Sequence, residues 1–259
     1  MSRGAALAAC LLLGACASAG VPAPVGPVPG YLDAEAVRSL ADAAPPAGPW
    51  DISDPFPEQP GTDRWWLATA HMELRPPQAA QHFDCVLGAR LAGSPRPALT
   101  RLMSRLLTDA DSLTRLLAER VPRPRPIKVI AGLEPCVRVN DAVRDAPSWP
   151  AGGAVTGSAY GELFAALAPD RAEDARRMGR EIGLSRALCR LHWPADVTDG
   201  AALGRRLYAA EANRPDFAAD LEAARAEVAM ARAEGLTSPG CAAERRSLPQ
   251  AGRGATSAP

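Results

Sequence analysis

The chain has 259 residues, and 29 lysines and arginines offset 29 acidic residues to a formal net charge of zero. That balance, with no basic run interleaved with aromatics, argues against nucleic acid as a partner. Arginine supplies nearly all the positive charge, since Lys128 is the one lysine in the sequence.

Arg3 and the apolar run from Ala5 to Leu13 read as a targeting segment over 1–15, too short to span a bilayer. Leu13-Gly14-Ala15-Cys16 reads as a bacterial lipobox, with cleavage before Cys16 and a lipid on its sulfur. The competing reading is an ordinary cleaved signal peptide with an accidental cysteine. Ala17, where an aspartate would favour the inner membrane, points to an anchor in the outer membrane facing the periplasm. The lipid is then the chain's single membrane contact.

Residues 16–30 are rich in Ala, Gly, Pro and Val and form a tether to one domain over 31–241. Six prolines in residues 44–61 make an irregular connector. Thr62 or Asp63 can cap a helix containing Trp65 and Trp66. Leu99, Leu102, Met103, Leu106, Ala110, Leu113 and Leu117 recur at helical spacing and predict a long helix ending before Pro122. Phe217, Leu221, Ala224, Val228 and Ala231 predict another near the C-terminus. In a helix starting near Pro194, the face Val197, Gly200, Gly204, Leu207 would let a neighbour approach closely. Alternating patterns are nearly absent, with Ile127–Ile130 the one short strand candidate. These patterns predict an all-α bundle, with 242–259 as a disordered tail.

The most informative stretch runs from Ser185 and Arg186 through His192 to Asp196, spaced S-R-x5-H-x3-D. Arginine suits a phosphate dianion, because its planar fork donates two parallel hydrogen bonds and keeps its charge. A histidine beside it can attack phosphorus if a partner holds its ring. Asp196, four residues on, is expected to accept that ring N–H. Pro194 suits a first helical turn and places His192 at the helix N-terminus, where the dipole favours an anion.

This stretch resembles the third signature block of the class A bacterial non-specific acid phosphatases, of the phosphatidic acid phosphatase type 2 and vanadium haloperoxidase superfamily. That family's pattern is K-x6-R-P, then P-S-G-H, then S-R-x5-H-x3-D. Here the first block stands as Ala118-x6-Arg125-Pro126, and the second lies in Ser148-Trp149-Pro150-Ala151-Gly152-Gly153. Flanking agreement comes from Tyr31-Leu32-Asp33, Phe83 to Gly88 and Leu167 to Arg171.

The resemblance implies an all-α fold and a phosphohistidine mechanism on phosphate or small phosphomonoesters, with no metal or cofactor. It makes His192 the nucleophile and Asp196 its orienting partner. Arg125 and Arg186 become the phosphate clamp, Ser185 lends a supporting hydrogen bond, and the backbone of Ala151, Gly152 and Gly153 donates N–H groups. It also favours disulfides Cys85–Cys136 and Cys189–Cys241, although four exported cysteines allow three connectivities. A zinc site lacks the C-x2-C spacing it would need.

Three departures count against full activity. Ala118 replaces the family lysine, Ala151 the loop serine and Gly153 the general-acid histidine. Arg115, Arg120 or Arg123 would have to supply charge from another position, and His71 and His82 read as surface or helix-packing residues, the alternative being that either folds into the site. A positioned general acid contributes roughly 10²–10⁴-fold. The expected protein is therefore an acid phosphatase with weakened or narrowed activity, and the alternative is an inactive phosphate-binding lipoprotein. A haloperoxidase-like vanadate site would need the same missing lysine and histidine.

Overall fold

The computed structural model describes residues 28–51 and 60–248. The targeting segment, Cys16, most of the tether and the centre of the Pro-rich connector lie outside the described residues. Within them the chain forms eleven α-helices and no strand, the all-α class expected. In order these are α1 (Ala34–Asp42), α2 (Asp63–Ala70), α3 (Asp84–Leu87), α4 (Pro97–Arg120), α5 (Pro126–Val129) and α6 (Asp141–Asp145). They continue with α7 (Gly152–Leu167), α8 (Ala172–Leu188), α9 (Pro194–Glu211), α10 (Pro215–Ala233) and α11 (Cys241–Ser247).

Local chemistry sets several of these boundaries. The Thr62 side chain accepts from Trp65 N and starts α2, which settles the Thr62/Asp63 alternative. Pro97 opens α4, where a missing N–H costs nothing, and the predicted leucine stripe is buried along its inner face. Ile127 belongs to the one-turn helix α5 rather than to a strand. Pro126 at its N1 position presets a helical φ, and Ile130 N closes the turn on Pro126 O at 2.9 Å.

α7 is buried nearly all round, so it shows no amphipathic stripe; it is the central helix. Small residues let its neighbours close on it. A Cβ at Gly179 of α8 would stand 2.4 Å from Gly157 O, and one at Gly204 of α9 would stand 2.2 Å from Val155 O. Backbones this close admit no side chain between them. The α7–α8 hairpin therefore brings the N-terminus of α7 to the C-terminus of α8, and α9 enters beside both.

Two expectations are corrected at the cysteines. The disulfides are Cys85–Cys241 and Cys136–Cys189, not Cys85–Cys136 and Cys189–Cys241. The loop bearing Cys136 packs with Ile127, Leu191 and Cys189 at the end of α8. Cys241 begins α11, which lies against α2 and α3, where Cys85 sits. The tail expected to be disordered from 242 consequently starts with a helix to Ser247, tied down at Cys241.

Candidate functional site

Main-chain bonds join three distant segments at the N-terminal end of α7. Ser148 N donates to Arg123 O at 2.7 Å, and Ala151 N to Asp196 O at 3.1 Å. Trp193 Nε1 donates to Pro124 O at 2.8 Å, and Arg125 Nη1 to Leu191 O at 3.0 Å. All three sequence blocks thus meet in one place.

His192 lies between two partners that fix its tautomer. Nδ1 is 2.6 Å from Ser148 O, which can only accept, so Nδ1 holds the proton. Nε2 is 2.9 Å from Arg125 Nη1, which can only donate, so Nε2 presents a lone pair. Burial pushes the imidazole pKa well below its usual value, and the Arg125 and Arg186 charges push the same way. The ring is neutral, with its free electron pair facing a cation.

Asp196 does not bond to that ring. His192 precedes α9, whose first residue is Pro194, so the four-residue helical spacing does not apply between them. Asp196 instead accepts from Trp193 N at 3.0 Å, from Ser148 Oγ and from Arg123 Nη1. It reaches His192 indirectly, by holding the residue whose carbonyl takes the ring proton. Burial raises its pKa, against the pull of Ser148, Trp193 and Arg123.

Ser148 is the member that pattern reading passes over, and Arg123, offered there as a spare charge, pairs with Asp196 instead. Arg123 sits in Arg-Pro-Arg-Pro, and Ser148 opens the second block without an assigned role. With Arg123 bonded to Asp196 and Gly48 O, and Arg120 paired with Asp42, neither takes the place of the lysine missing at Ala118.

Arg186 is buried at 7 % exposure and its pKa is pushed down to about 10 by burial, so it stays cationic. Its Nη2 donates to His71 O at 2.6 Å and its Nη1 lies 3.1 Å from Met72 Sδ, while Nε has no partner. A Cβ on Gly153 would stand 2.0 Å from that Nε. The space beside residue 153 is therefore filled by Arg186. Gly152 and Gly153 begin α7, so their N–H groups have no intrahelical acceptor.

Ser185 is turned away from this seat. Its hydroxyl donates to Glu181 O at 2.8 Å and accepts from Arg64 Nη1 at 3.0 Å, and His71 Nδ1 is 2.8 Å away. It acts on its neighbours and offers no free bond to a phosphate. His71 and His82 are both buried and their rings meet edge to face at 5.1 Å, which corrects the surface reading of either. Among the described residues, no group of three His, Cys, Asp or Glu is arranged to hold a metal.

The chain is similar to an acid phosphatase of Zymomonas mobilis, 30% identical over 179 residues, covering 68% of this chain and 67% of that one. It is 26% identical over 169 residues to a non-specific acid phosphatase of Salmonella typhimurium, covering 65% and 68% of the two chains. A non-specific acid phosphatase of Providencia stuartii is 26% identical over 170 residues, with the same coverage, 65% and 68%. No family model matches the chain.

Proposed function

Because this chain belongs to the acid phosphatase family, we propose that it hydrolyses phosphomonoesters through His192, as a divergent class A member. The lone pair on His192 Nε2 attacks phosphorus. An N–P bond forms as the ester P–O bond breaks, and the leaving oxygen departs with its electron pair. Water then attacks the phosphohistidine, breaks the N–P bond and releases inorganic phosphate, leaving the imidazole neutral again.

The single observation behind this reading is the fixed tautomer: Nδ1–H on Ser148 O and Nε2 unprotonated against Arg125. The phosphoryl oxygens would be met by Arg125, by the unpartnered Nε of Arg186, and by the N–H groups of Gly152 and Gly153 at the helix N-terminus. No metal or cofactor enters these steps. Lipid attachment at Cys16 would keep the site at the periplasmic face of the outer membrane.

The leaving group decides the rate. Gly153 has no proton to give, so an alkyl phosphate forfeits the roughly 10²–10⁴-fold a general acid supplies. An aryl phosphate leaves without a proton and is the preferred substrate class. The test is turnover of an aryl and an alkyl phosphate at acidic pH by the wild-type protein and His192→Ala. Aryl turnover lost in His192→Ala is the expected result. Equal activity in that variant, or rapid alkyl turnover by wild type, would overturn the reading.

A further inference from the structure

We infer that His71 is a positioning residue, which sets the phosphate-binding side chain Arg186 from behind. The inference rests on the phosphatase reading and concerns a residue outside all three sequence blocks. His71 closes α2 as its C-cap, and the chain there holds both members of the Ser185–Arg186 pair. Its carbonyl takes Arg186 Nη2 at 2.6 Å, and the next residue places Met72 Sδ 3.1 Å from Arg186 Nη1. Its ring addresses Ser185 at 2.8 Å. From the same helix, Arg64 reaches both Ser185 Oγ and Glu181.

With the Ser185 hydroxyl proton on Glu181 O, 2.8 Å away, the ring bond takes one direction. Ser185 Oγ therefore accepts from Arg64, and it accepts from His71 Nδ1–H. Nε2 of His71 is left as a buried acceptor with no partner. Here the ring bond locks the peptide whose carbonyl orients Arg186, and that orientation leaves Arg186 Nε free beside Gly153.

The test compares His71→Ala, His71→Asn, Ser185→Ala and the Ala/Ala double variant. Asn retains an N–H close to the position of Nδ1 and lacks the orphaned Nε2, so it should restore what Ala removes. Calorimetry with inorganic phosphate gives Kd without turnover, and an aryl phosphate gives KM and kcat separately. His71→Ala and Ser185→Ala should each weaken phosphate binding and raise KM about three- to tenfold, with kcat changed less than about twofold. The double variant should be no worse than either single one, and His71→Asn should lie within about twofold of wild type.

Additive losses, a His71→Asn variant as weak as His71→Ala, or unchanged phosphate affinity in a folded His71→Ala would overturn the inference. If His71→Ala does not fold, normal phosphate binding by Ser185→Ala overturns it instead. A wild-type protein that neither binds phosphate nor turns over an aryl ester sinks the phosphatase reading, and the inference with it. Wild-type binding unaltered by the variants sinks the inference alone.

Discussion

Arg123 and Asp196 form an ion pair inside the protein, with their side chains 5 % and 0 % exposed. Through it the segment before Arg125 is bound to the start of α9, and Ser148, bonded to the same carboxylate, is held under His192. Removing one partner strands a charge in the interior, and such breaks cost about 3–5 kcal/mol. Asp196→Leu and Arg123→Met should each lower stability by that amount in urea unfolding. The double variant should regain most of the stability, because no unpaired charge remains. It should not regain activity, since Ser148 is no longer fixed; a loose ring costs on the order of 10²-fold in kcat. Recovery of kcat together with stability would show that the pair merely holds the fold.

Gly153→His tests whether the missing general acid can be restored. Arg186 Nε already occupies the space, 2.0 Å from where the new Cβ would lie. The substitution should push Arg186 off His71 O and weaken phosphate binding about tenfold or more, with no gain on alkyl phosphates. A rise in alkyl turnover at unchanged phosphate affinity would show that Arg186 yields easily. Adding Ala118→Lys supplies charge but leaves this clash in place.

The two disulfides should act differently on function. Digestion without reductant should release Cys85 linked to Cys241 and Cys136 linked to Cys189. Replacing either pair by serine should cost about 2–5 kcal/mol of stability. Cys189 abuts Arg190, a non-glycine residue at φ 64°, in the turn that delivers His192. Loss of the Cys136–Cys189 bond should therefore reduce kcat as well as stability. Loss of Cys85–Cys241 should free α11 and leave kcat within about threefold, the span of ordinary distant-site effects. The opposite ranking of kcat would show that the His192 turn does not depend on its neighbouring crosslink.

What pattern reading recovers here follows from the range of each contact. The α4 stripe and the glycine face of α9 repeat locally, so their periodicity is visible in the chain itself. Ser185 to Asp196 is legible because the last turn of α8, one tight turn and the start of α9 lie consecutively. The partner of His192 is not legible. Its acceptor, Ser148 O, comes from 44 residues away, and spacing offers Asp196 as the nearer answer. The link between His71 and Ser185 spans 114 residues and is invisible for the same reason. Disulfide pairing also depends on which helix ends meet, and chain order is a poor guide to that.

Glu211, the last residue of α9, is fully buried, and its carboxyl lies beside that of Asp109. Burial lifts its pKa well above 4.5, and the neighbouring carboxyl of Asp109 lifts it further. Asp109 itself accepts from Tyr31 N at 2.7 Å and Leu32 N at 3.1 Å, tying down the N-terminal segment. The folded protein therefore keeps a proton on Glu211 that the unfolded chain releases above about pH 4.5. Where the native state binds more protons than the unfolded state, stability falls as pH rises. The contribution of Glu211 is complete below its unfolded pKa and is lost as pH climbs towards its folded pKa. Glu211→Gln is neutral at every pH, so its stability relative to wild type should grow with pH by up to about 1.4 kcal/mol per unit. Urea unfolding of both proteins at about pH 4.5 and 7.5 measures that difference. His71 and His192, whose depressed pKa values give the opposite slope, are common to both and cancel. Parallel curves would mean that Glu211 is ionised in the folded protein.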